Sequence, residues 1–137
     1  MNITNELKTR KIDLVKLESV KVHYPSHRFE ICIQTENIQA KFNNNIWLSE
    51  SDIEKFLENL SILDKDRKGQ AKLESMSPGE FQLIFKAIDG LGHLAVICQF
   101  MKEDRINNEY SQDVKIEFQI DPTSLNSTRI DFLDLIK

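Results

Sequence analysis

The sequence predicts an α+β protein: a mostly antiparallel sheet of about six to seven strands, one helix inserted mid-chain and one C-terminal helix. Three observations predict it. Apolar and polar residues alternate in segments on both sides of residue 50, the period of a half-buried strand. Between these segments Ile53, Phe56, Leu57, Leu60 and Leu63 recur at helical spacing. The turn signals between the later strands are short, whereas parallel neighbours need crossovers of a dozen residues or more.

Each element has its own signature. The polar residues 1–10 are expected to fray. From Lys11 to Tyr24 the apolar residues Ile12, Leu14, Leu17, Val20, Val22 and Tyr24 slip phase twice, which predicts a bulged strand or two short ones. Pro25 ends that run. Phe29, Ile31 and Ile33 alternate in the next strand, and Ile38, Ala40 and Phe42 in another. Asn43-Asn44-Asn45 predicts a turn, because Asn tolerates positive φ and bonds its own backbone. Ser49 and Asp52 have capping-box spacing, so a helix is expected over residues 50–66, with a stop at Lys68-Gly69. Ala71 and Leu73 begin the second set of strands. Ser77-Pro78-Gly79 is a turn, and Phe81, Leu83, Phe85 and Ala87 share one strand face. Asp89-Gly90 and Gly92 mark a tight connection. Residues 93–100 are nearly all apolar, as in a central strand covered on both faces. The charged stretch Lys102–Gln112 is expected to be an exposed loop. Val114, Ile116, Phe118 and Ile120 alternate cleanly. Asp121-Pro122 opens a last helix whose Leu125, Phe132, Leu133 and Ile136 are expected to dock on the sheet.

Composition bounds the function. A chain of 137 residues suits a single domain over 1–137, able to bury a core without disulfides or metal. Hydrophobic residues make up 40% and charged residues 29%, a globular balance. The net charge of −4 argues against nucleic acid, whose phosphates reward clusters of Lys and Arg. The N-terminus has no apolar run like a signal peptide, and no stretch is long enough to span a membrane, so a cytoplasmic protein is expected. Cys32 and Cys98 lie in apolar strands and read as buried free thiols.

No constellation supports catalysis or cofactor binding. His23 and His27 have the spacing of zinc ligands on a helix, but Pro25 between them breaks that geometry, and surface turn histidines are expected. Asp89-Gly90-Leu91-Gly92-His93 could hold an imidazole near Asp89, yet no GxSxG nucleophile or second acid/base partner accompanies it. A hairpin turn is expected there. No carboxylate pair is isolated among apolar residues, as a raised pKa for acid catalysis requires. The expectation is no enzyme, no catalytic residue, no metal and no cofactor.

Two features point instead to binding. Glu50, Glu54 and Glu58 stand at i, i+4 and i+8, an acidic ridge on the outer face of the predicted helix; Asp64 and Asp66 extend it and Lys55, Lys65 and Arg67 dilute it. Like charges at that spacing cost a few tenths of a kcal/mol per pair, offset in part by the helix N-terminus near Glu50; the ridge reads either as a solvated helix face or as an acidic surface for a basic partner. Trp47, just before that helix, is placed either to pack against the helix start or to anchor an interface.

The segments in order carry a resemblance. Trp47-Leu48-Ser49 leading into the acidic helix, then Leu73-Glu74-Ser75-Met76-Ser77-Pro78-Gly79-Glu80-Phe81, Asp89-Gly90-Leu91-Gly92-His93 and Phe118-Gln119-Ile120-Asp121, resemble the WapI family of bacterial immunity proteins over roughly residues 11–137. The resemblance implies a small cytoplasmic protein that neutralises a cognate toxin by stoichiometric binding. The toxin is the variable C-terminal part of a large secreted or wall-associated protein, often a nuclease. The family offers no catalytic residues. The expected partner-binding residues are Glu50, Glu54, Glu58 and Trp47, with Glu103 and Asp104 in the Lys102–Gln112 loop. The alternative is a general protein-interaction or regulatory domain unrelated to toxins.

Overall fold

The computed structural model describes residues 1–103 and 111–137, and the side chains of all of these except 43–45 and 103. The class is α+β as expected, with eight strands among the described residues, divided between two antiparallel sheets of four. The first sheet contains β1 (Asn2–Thr4), β2 (Lys11–Val20), β3 (Ser26–Gln34) and β4 (Gln39–Ser49), in that spatial order. Helix α1 (Glu50–Asp66) follows. The second sheet contains β5 (Gln70–Glu74), β6 (Phe81–Ala87), β7 (Leu94–Glu103) and β8 (Ser111–Ile120), again in chain order. A 3-10 turn at Pro122–Ser124 leads into α2 (Leu125–Leu135).

Both sheets bury one face in a shared core. Ile12, Leu14, Phe29, Ile31, Ile33, Ile46 and Leu48 line the first sheet, and Leu73, Phe81, Leu83, Phe85, Val96, Phe100 and Phe118 the second. Phe42 of β4 stacks on Phe100 of β7 with ring centroids 4.8 Å apart, so the sheets meet directly. Helix α1 adds Phe56, whose ring lies 5.9 Å from Phe85 and 5.4 Å, edge-on, from Phe132 of α2. Aromatic pairs in these offset and edge geometries add about 0.5–1.5 kcal/mol each beyond the area they bury.

Helix α1 has the predicted bounds and cap. The Ser49 hydroxyl accepts the Asp52 N–H at 3.1 Å. The stop differs from the expected Lys68-Gly69: Arg67 itself takes the left-handed conformation, φ 55°. Its guanidinium offsets that strain by donating to the Asp64 carbonyl at 2.9 Å, the Asp64 carboxylate at 3.1 Å and the Gly92 carbonyl at 3.4 Å.

Several expectations are corrected. Part of the N-terminus is ordered by pairing, since Ile3 of β1 is buried opposite Ile12 of β2. The chain does not turn at Asn43-Asn44-Asn45. Strand β4 runs through it, and the surplus residues are taken up as a register irregularity opposite Glu30, with Phe29 paired to Ile46 and Ile31 to Phe42. The turn lies earlier, where the Thr35 hydroxyl accepts the N–H groups of Asn37 and Ile38. The Lys102–Gln112 segment is mostly not loop on its flanks: Lys102 pairs with Gln112 and Glu103 with Ser111, leaving 104–110 outside the described residues. Helix α2 rests on α1 through Phe132, and Leu133 is exposed, not docked on a sheet. The predicted β2 bulge is present, with a register shift between Lys16 and Glu18. Strand β7 is central as expected. Its second face, Ala95 and Ile97, is sheltered by side chains on the flanking strands, including a Lys86–Glu117 ion pair at 3.6 Å.

Candidate partner-binding surface

One end of the molecule gathers most of the residues that the sequence singles out. Backbone bonds fix it. The Glu50 N–H at the start of α1 donates to the Pro25 carbonyl at 2.8 Å, tying the helix to the β2–β3 hairpin. The Met76 N–H donates to the Trp47 carbonyl at 2.8 Å, tying the β5–β6 turn to β4. Met101 of β7 donates to the Glu80 carbonyl at 2.9 Å, which brings the end of β7 alongside.

The expected residues lie in different environments. Trp47 is half-buried on the outer face of β4, opposite Arg28 of β3. Glu54 and Glu58 are exposed on the outer face of α1 and make no ion pair among the described residues. Glu50 does not belong fully to that ridge: its carboxylate turns inward and lies 3.7 Å from His27 Nε2. Glu103 ends β7, its side chain not described, and Asp104 lies outside the described residues.

His27 corrects the reading of a surface histidine. It belongs to β3 in phase with Phe29, Ile31 and Ile33, and is 0% exposed. Ser19 Oγ lies 2.8 Å from its Nδ1, while Nε2 has no hydrogen-bond partner. Burial holds its pKa below the ordinary 6.5, and the positive charges of Lys21 and Lys16 add to the effect, against the pull of Glu50. His23, by contrast, is exposed at the hairpin tip as expected.

The hairpin tip is where sequence reasoning missed candidates. Val20, Val22 and Tyr24 are exposed, Tyr24 by 80% and Val22 by 67%, and Met76 of the adjoining turn is exposed too. The available signal was the phase slip in β2. Past the bulge at Leu17, these residues no longer share a face with Ile12 and Leu14. Tyr24 directly before Pro25 was a second sign that the strand had already ended.

The remaining candidates have structural explanations. His93 Nδ1 lies 2.6 Å from Asp89 Oδ2, and Asp89 Oδ1 accepts the N–H of Leu91 at 2.8 Å and of His93 at 3.3 Å. These bonds, the His93 side chain first, hold the Asp89 carboxyl below its usual range. The group is exposed and closes the β6–β7 turn, where Gly92 takes φ 90°. Burial pushes the Cys98 thiol up to about 12, the reverse of what a nucleophile needs. Cys32 is half-buried and free. Among the described residues no three His, Cys, Asp or Glu side chains are grouped to hold a metal ion, and no helix is long and apolar enough to cross a membrane. The described depressions are shallow; one of about 410 Å³ lies between α1 and β5, lined by Asp52, Lys55, Asn59, Gln70, Lys72 and Glu74.

Comparison with known proteins gives a family match. The sequence model of the family described as "Immunity protein WapI-like family" matches residues 7–136. No curated protein and no solved structure matches the chain.

Proposed function

The chain belongs to the WapI-like immunity protein family, and from that premise we propose that it neutralises one cognate toxin domain by binding it stoichiometrically in the cytoplasm. The family match over residues 7–136 carries this reading. What supports a protein partner on physical grounds is the surface at the start of α1. Glu54 and Glu58 repel each other at i, i+4 spacing and gain no ion pair in return among the described residues. Their value lies in attracting positive charge. A nuclease toxin carries positive charge to hold its nucleic acid, so a nuclease is the toxin class this surface suits. Acidic complementarity raises the association rate and makes it salt-sensitive. Glu50 opens the same helix, and Trp47 lies three residues before it.

The test is co-purification with the C-terminal domain encoded directly upstream, followed by rescue of cells expressing that domain. Failure of both would remove the immunity reading. The charge surface has its own test. Glu54→Lys with Glu58→Lys is expected to slow association and flatten its dependence on salt. Unchanged association kinetics across a salt series would reject this face while leaving immunity intact.

A further inference from the structure

We propose that the tip of the β2–β3 hairpin, Val22-His23-Tyr24, is the apolar anchor with which this protein grips its toxin; the proposal rests on the immunity reading above. The Tyr24 N–H donates to the Val22 carbonyl at 3.0 Å across His23, whose φ is 68°. This is a three-residue turn with a left-handed centre, a conformation strained for any residue that carries a Cβ. The strain holds two apolar side chains out in water, where folding alone does not reward them. The tip is also firmly based. Pro25 accepts the Glu50 N–H, and His27 is bonded to Ser19 just below. Tyr24 and Val22 are therefore preorganised, which lowers the ordering cost of binding.

The surroundings say what kind of partner fits. Val20, at the end of β2 leading into the tip, is exposed as well. Helix α1 starts beside the tip through the bond from the Glu50 N–H to the Pro25 carbonyl, and Glu54 and Glu58 follow one and two turns along that helix. Lys21 and His23 flank the apolar pair at the tip itself. An apolar anchor with a basic tip and the acidic face of α1 beyond it matches a globular domain that has an apolar depression at its docking site and turns its positive charge toward α1. Tyr is among the residues that most often carry binding energy at interface centres.

The experiment is calorimetric titration of the upstream-encoded C-terminal domain, in an inert variant, into the wild-type protein and two variants. Val22→Ser with Tyr24→Ala removes the anchor. Leu91→Ser removes an equally exposed apolar side chain from the β6–β7 turn, beside the other end of α1, where Gly92 meets Arg67. The anchor variant is expected to bind about tenfold more weakly or worse, with its melting temperature unchanged, and the Leu91 variant to bind like wild type. Wild-type affinity in the anchor variant overturns the proposal alone. So does equal weakening by both variants, or a wild-type homodimer that the anchor variant abolishes with toxin affinity intact. A wild-type protein that does not bind the domain overturns the proposal together with the immunity reading.

Discussion

His27 shows how a single side chain can be misread and what its true position predicts. Its spacing from His23 invites a metal or surface interpretation, and Pro25 nearby suggests a turn. Yet His27 shares parity with Phe29, Ile31 and Ile33, and that alternation was the signal of its burial. The depressed pKa sets a direction for pH dependence. In the unfolded chain the imidazole takes up its proton near the ordinary 6.5, and in the folded protein only below that. The unfolded state therefore binds more protons as pH falls through this window, and stability declines. Stability measured by urea unfolding is expected to be lower at pH 5.5 than at pH 7.5, with the difference reduced in His27→Asn. An equal decline in that variant would assign the pH effect elsewhere. Glu50 is the linked residue: its position in an acidic ridge was legible, but its attraction to a buried imidazole depends on strand pairing that no local pattern encodes.

Elements whose signals are local were legible, and those defined by distant partners were not. The bounds of helix α1 were readable because its cap and its apolar stripe lie within its own residues; its stop at Arg67, in place of Lys68-Gly69, is held in part by the distant Gly92 carbonyl. Ser49→Ala removes the one side-chain cap and is expected to cost about 1 kcal/mol in denaturant unfolding, within the usual 0.5–2 range. A loss near zero would mean that the Pro25 carbonyl bond to Glu50 N–H suffices. Strand β4 is the opposite case. Three asparagines carry strong turn propensity, but both flanks of the segment pair with β3, and pairing overrides the local preference. The β2 bulge was legible because it breaks the strand's own alternation. That this break turns Val20, Val22 and Tyr24 outward required the register.

At the level of the whole molecule, the class was legible and the division into two sheets was not. Alternation identifies strands without naming their partners, and α1 gives no sign that it separates one sheet from another. What unites them is the junction of Phe42, Phe100 and Phe81, stacked in series. Phe100→Ala is expected to destabilise the protein by about 3–5 kcal/mol, a large part of the 5–15 typical of a small domain. The single Trp, Trp47, reports on the first sheet, while far-UV circular dichroism reports on both. The two transitions should shift together; a Trp47 signal that stays put while ellipticity changes would show that the sheets unfold separately. The chain-order arrangement of each sheet has a temporal consequence. Every strand pairs with a neighbour in sequence, so each closure spans a short loop and little entropy must be lost before a contact forms. Closure between sequence neighbours favours faster folding than a sheet built from distant pairings. On the immunity reading, that speed shortens the interval in which a newly made toxin would find its producer unprotected.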